Sequence, residues 1–169
     1  MSDSNSNKPT PAWEPRGFRS SIDPGWIDYN GHLRDGYYAL IASAAIDALM
    51  DDLGIDARYR HEQNCTLYTV EMHVRFVSEI KLDDALVLDR YPVEFDAKRL
   101  RILIAIRTAR SGVAAVVDFM LMHVQQDGSP HSTPFPALVR DRLAAWRQQP
   151  VPAELLVLGS RPMTLNRQL

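Results

Sequence analysis

The chain has 169 residues, 46% of them apolar, enough for one domain with a full hydrophobic core and short tails. Lys and Arg number 19 against 21 Asp and Glu, a formal net charge of -2 with no dense basic cluster, which excludes nucleic acid as the expected partner. The single cysteine, Cys65, excludes an internal disulfide framework and a cysteine-rich metal centre, and suits a reducing compartment.

The polar start, Met1 to Pro11, has no apolar core for a signal peptide, and no run is long enough to span a bilayer. A cytoplasmic protein without membrane contact is expected. Residues 1–15 read as a flexible tail, 16–149 as the domain and 150–169 as a second tail. Phe18 to Ile27 is β-compatible but broken by Asp23-Pro24-Gly25, so a short first strand with a bend is expected. Asn30-Gly31 then marks a turn. Tyr37 to Leu53 is rich in Ala and Leu, lacks Pro and stops at Gly54, which predicts a helix. That helix is apolar nearly all round, so something should wrap it.

From Thr66 the period becomes two, placing Tyr68, Val70, Met72, Val74 and Phe76 on one face and Thr69, Glu71, His73 and Arg75 on the other. Extended runs follow over Ala85–Phe95, Arg99–Ala109 and Val113–Gln126, joined by short connections as an antiparallel meander. Pro92 suggests an edge or a bulge in the first, and the near-continuous Ala114–Met122 a strand covered on both faces. A last helix is expected over Pro136–Gln148, carrying Leu138, Val139, Leu143 and Trp146. Leu155 to Leu158 is apolar and reads as a segment packed across a subunit boundary. The fold class is α+β, a curved antiparallel sheet around one long helix. Its outer, charged face is left for solvent or a second subunit, and a homodimer is expected.

A helix start offers unpaired N–H groups and the positive end of a dipole, where a carbonyl oxygen that turns negative is stabilised. Asp28 stands three residues before Gly31, placed to act as nucleophile or as the base that orients water. On the residues alone, the reading of Asp28, Asn30 and Asp35 as ordinary turn and cap residues comes first, since D-x-N-G is common in turns. Elsewhere, Asp47 in mid-helix must be paired, exposed or used. Glu71 and His73 lie two apart and point the same way, without a third ligand beside them for zinc, so no metal is expected. His123 reads as a hydrogen-bonded core histidine, and Cys65 as an inert thiol.

The hexapeptide DYNGHL, Asp28 to Leu33, followed by Tyr37-Tyr38 in an apolar helix and then the strands, resembles the hotdog-fold acyl-CoA thioesterases of the hydroxybenzoyl-CoA type. The resemblance runs from about Arg19 to Val124. It implies that Asp28 carries the hydrolysis, that backbone amides of Gly31, His32 and Leu33 polarise the thioester carbonyl, and that the site lies between two subunits, as a dimer or a dimer of dimers. Acyl-CoA is then the substrate, coenzyme A being part of it, with no separate cofactor. Arg34 stands where many members have Asn, so only a substrate contact is assigned to it. His32 reads more often as a packing residue of the turn than as a proton carrier.

TLYTVEMH (Thr66 to His73), DAKRL (Asp96 to Leu100), MLMHV (Met120 to Val124) and STPFP (Ser132 to Pro136) are similar to the thioesterases that accompany carnitine dehydrogenase, which implies betainyl-CoA. A trimethylammonium group is held by aromatic faces and negative charge. Trp26, Tyr29, Tyr37, Tyr38 and Tyr68 are the aromatic candidates and Glu71 the charged one, core filling being the more frequent fate of such aromatics, while Asn30 and His73 are further candidate substrate contacts. Lys98, Arg99 and Arg101 are either coenzyme A phosphate contacts or a solvated hairpin end. Two alternatives remain in view: a non-catalytic acyl-CoA-binding or sensing module, and a hotdog enoyl-CoA hydratase. The latter is disfavoured because its D-x-N-P-x-H loop is one residue longer, with Pro where this chain has Gly.

Overall fold

The Ala- and Leu-rich run forms the central helix α1, Asp35–Leu53, in the computed structural model, which describes residues 18–160. Gly54 ends it in the left-handed region at φ 82°, its N–H donating to carbonyls of the last turn, as a C′ glycine should. The expected tail 1–15 lies outside the described residues. The first strand, β1, is only Phe18–Ser20, because Asp23 caps a 3-10 turn at Pro24–Trp26 by accepting from the Gly25 N–H at 2.7 Å. A short helix, α2 (Ala57–Gln63), was not expected. Asp56 caps it, accepting from the Tyr59 N–H at 2.8 Å.

The sheet comprises β1, β2 (Cys65–Phe76), β3 (Leu86–Phe95), β4 (Arg99–Thr108), β5 (Gly112–Gln125) and the two-residue β6 (His131–Ser132), all pairs antiparallel. Its order is β1-β3-β4-β5-β2, with β6 on β5. The meander β3-β4-β5 is as expected, and the bulge falls at Pro92/Glu94. β2 does not continue it: β2 crosses to the far side of β5 and leaves its own outer edge open.

A second bulge, between Thr69 and Glu71, corrects the expected faces of β2. One extra residue flips the alternation, so Tyr68 shares its face with Glu71, His73 and Arg75 and not with Met72, Val74 and Phe76. The register carries that face across Met122, Met120 and Asp118 to Arg99, Arg101 and Leu103. The opposite face, with Ile102, Ile104, Val117 and Phe119, packs on Ile41, Ala42, Ala45 and Leu49 of α1.

The wrapping of α1 is incomplete. Gly36, Leu40, Ser43, Asp47 and Asp51 form an exposed stripe, and Asp47 is therefore solvated. The other end of α1 is tied down by Asp52, which accepts from the buried Arg90 at 2.6 Å while the guanidinium lies 5.9 Å from the ring centroid of Trp146. Trp146 belongs to α3, Ala137–Trp146, which buries Val139, Leu143 and Trp146 but leaves Leu138 exposed.

Leu155 to Leu158 does not wait for another subunit. It lies in α4, Ala153–Ser160, and Leu155 is buried against Leu103, Ala105 and Val116 on the outer face of the chain's own sheet. The segment from 150 onward is thus part of the domain as far as residue 160, and 161–169 lie outside the described residues. Gly159 passes so close that a Cβ there would meet Leu103 Cδ2 at 2.5 Å. Leu155→Ala should cost roughly 2–5 kcal/mol in chemical denaturation, through lost transfer energy and a residual cavity. No helix among the described residues is long and apolar enough to cross a membrane.

Candidate active site

The loop between the 3-10 turn and α1 folds around one carboxylate. An isolated bridge between Ile27 and Leu33 closes its base, and the Asp28 N–H donates to the His32 carbonyl at 2.8 Å. Asp28 Oδ1 accepts from the amides of Asn30 at 2.8 Å and His32 at 3.0 Å. Gly31 makes the reversal at φ 79°, a conformation that only glycine adopts without strain although there is space for a Cβ.

The expected row of free donors is not there. The Gly31 amide goes to the Asp28 carbonyl at 3.1 Å, His32 to Asp28 Oδ1, and Leu33 to the Ile80 carbonyl at 2.8 Å. So tight a turn satisfies its own N–H groups, and the polarising role assigned to the Gly31, His32 and Leu33 amides is corrected accordingly. The open donor lies further on. Arg34 is the N-cap and offers no side-chain acceptor, its own amide donates to the Trp26 carbonyl, and that of Tyr37 to the Arg34 carbonyl. Gly36 N–H donates to Asp35 Oδ1, which leaves the Asp35 N–H at the positive end of α1 without a protein acceptor among the described residues.

The two amides on Oδ1, that of His32 foremost, hold the Asp28 carboxyl below the ordinary aspartate value of 3.8. Asp28 is thus a lasting carboxylate at neutral pH. The sign of the linkage follows: a depressed folded pKa adds stability above the unfolded value, lost as pH falls through the folded one. The stability difference between the parent protein and Asp28→Asn should therefore be flat from about pH 8 to pH 5 and narrow below the ordinary carboxylate range, checked by denaturation at a series of pH values.

Beside the loop is a cavity of about 310 Å³ lined by His32, Leu33, Asp35, Tyr38, Phe76, Val77, Ser78 and Glu79. Asp28 does not line it; His32 joins the two, its amide on Asp28 and its Nε2 2.9 Å from Glu79 Oε2. Tyr38 and Phe76 meet edge to face at 4.9 Å, and Tyr38, largely through burial and partly through Glu79 and Asp84, has its phenol pKa raised. Phe76, Ser78 and Glu79 were not singled out from sequence, and Asp35 only as a cap. Their approach depends on the Leu33–Ile80 hydrogen bond, a long-range contact without a local signal.

The other candidates scatter. Tyr29 is 97% exposed, and Asn30 and Arg34 face solvent as well. Trp26 and Tyr37 stack on each other at 5.1 Å and 15°. Tyr68, Glu71 and His73 lie on the outer sheet face, Glu71 and His73 paired at 2.8 Å. Tyr68 is eight residues from Phe76 along β2, roughly 26 Å at strand rise, so one chain does not bring it to Asp28. Lys98 and Arg99 lie at that same far end, and each has a partner. Lys98 Nζ donates to Ser132 Oγ at 2.8 Å, and Arg99 clamps Asp96, whose pKa falls to about 2.

His123 is the buried core histidine expected. Its Nδ1 donates to the Thr133 carbonyl at 3.0 Å, so Nε2 accepts from Tyr59 OH at 2.9 Å, and burial lowers its pKa. Burial raises the Cys65 thiol pKa, opposite to what a nucleophile needs.

Sheet, central helix and acidic loop together define a hotdog thioesterase, and residues 22–155 match the Thioesterase-like superfamily, to which the chain belongs. It is a thioester hydrolase acting on acyl-CoA. Among its relatives, a betainyl-CoA thioesterase of Pseudomonas aeruginosa is 39% identical over 152 residues, 86% of this chain and 95% of that one. An L-carnitine dehydrogenase/betainyl-CoA thioesterase of Agrobacterium fabrum is 35% identical over 78% of this chain, which spans 27% of that longer protein. In fold, a Staphylococcus aureus protein solved in complex with CoA superposes with a TM-score of 0.80 at 23% identity, covering 89% of this chain and 95% of that one.

Proposed function

We propose that the chain hydrolyses a small cationic acyl-CoA, betainyl-CoA, at the carboxylate of Asp28, in a site completed by a second copy of the chain. The observation that carries this is the fixed, ionised Asp28: Oδ1 is pinned by the amides of Asn30 and His32, and the Asn30 side chain helps to hold the carboxyl in its charged form. Such a carboxylate either attacks the thioester carbon or orients water onto it. As the tetrahedral oxygen becomes negative, the Asp35 N–H at the helix start supplies a donor and the dipole adds to it. One water is consumed: its oxygen ends in the carboxylate of betaine, coenzyme A leaves as the thiol, and one proton is released.

The open edge of β2 supports the second copy. Val70 is 51% exposed and Phe76 56%, on a 12-residue edge strand, the kind of surface that pairs. Antiparallel pairing of two such edges would continue the sheet from one copy into the other and set the second copy's β2 beside Phe76, at the rim of the cavity. The test is a panel of acyl-CoAs incubated with the purified protein, coenzyme A thiol being followed and the liberated acid identified by mass. Betainyl-CoA should rank first, and preference for long neutral chains would refute the substrate assignment.

A further inference from the structure

Resting on that reading, we infer that the cavity between the start of α1 and the end of β2 is the acyl pocket, and that Glu79 selects a positively charged acyl head there. The cavity, of about 310 Å³, is open to solvent on one side and has room for a compact, branched head. Two of the eight lining residues, Asp35 and Glu79, are carboxylates, and none is Lys or Arg. Tyr38 and Phe76 touch edge to face at 89°, and Phe76, 56% exposed, keeps ring surface free on the side away from the buried Tyr38, where a cation meets a ring face beside the acidic charge.

The nearby guanidinium does not cancel that field. Arg110 donates to the Glu79 carbonyl at 3.1 Å and is paired with the carboxylate of Asp84, outside the cavity lining. His32 meets Glu79 at 2.9 Å from the loop side. Glu79, its side chain 65% exposed, is thereby joined through His32 to the turn that holds Asp28. A quaternary ammonium cannot donate a hydrogen bond, so negative charge beside ring surface is the chemistry that would recognise it.

The experiment compares betainyl-CoA with 3,3-dimethylbutanoyl-CoA, the same shape with carbon in place of the charged nitrogen. The parent protein should show kcat/KM at least tenfold higher for the cationic ester. Glu79→Gln, checked for an unchanged melting curve, should cut that ratio tenfold or more, and Phe76→Leu should cut it less. An unchanged ratio in Glu79→Gln, or a parent protein that favours the neutral ester, overturns the pocket assignment while thioester hydrolysis stands. Failure of the parent protein to cleave either ester would bring down the functional reading itself.

Discussion

Asp28→Asn should lower kcat by about a thousandfold or more, the scale expected when the group that attacks or activates water is removed. The substitution is informative because it separates charge from structure. An asparagine side chain still presents an oxygen to the amides of Asn30 and His32, so the loop keeps its hydrogen bonds while losing the carboxylate. Far-UV circular dichroism should match that of the parent, and melting should fall only by the small contribution of the carboxylate charge. Asp28→Ala would be a poorer test, since the two amides would lose their acceptor and the turn itself would loosen. Near-parental turnover by a folded Asp28→Asn protein would remove Asp28 from the chemistry.

The second large effect is expected at the edge of β2. Val70 sits at the bulge, exposed, on the open side of the sheet. Lysine at such a position is a common means of keeping edges apart, because pairing would bury or crowd its charge. Under the proposed two-copy site, Val70→Lys should give a monomer in light scattering and reduce turnover about a hundredfold. Little internal packing is lost, so the monomer should stay folded. A fully active monomer would contradict the shared site, and an intact dimer would place the interface elsewhere.

What could be read from sequence was what local periodicity encodes. The central helix, the β3-β4-β5 meander, the irregularity at Pro92 and the Asp28 loop each depend on residues close together in the chain. The missing pieces each depended on a partner far away or on one extra residue. Nothing local says that β2 lies beside β5, since either neighbour would suit an alternating strand. The bulge at Val70 reverses which residues of β2 face the helix, and so moved Tyr68 to the outer face. The apolar run Leu155 to Leu158 was seen, but periodicity could not say that its cover was the outer face of the same sheet. α2 was missed because Ala57 to Gln63 is short and polar, although Asp56 carried a legible cap signal.

The candidate site divides in the same way. Asp28 and the Gly31 reversal follow from an acidic residue and a glycine at fixed spacing. That the turn would consume its own amides was not legible, because the Leu33 amide finds its acceptor at Ile80, far along the chain. The same contact brings Glu79 to His32 and shapes the cavity, so the residues best placed to choose the acyl group went unmarked.

The most direct measurement counts turnovers: betainyl-CoA in large excess over the purified protein, with free coenzyme A thiol followed to completion. Consumption of the whole substrate pool, many equivalents per chain, is the predicted result. Release of no thiol, or of no more than one equivalent per chain, would mean a protein that binds or is acylated without turning over, and would contradict the account.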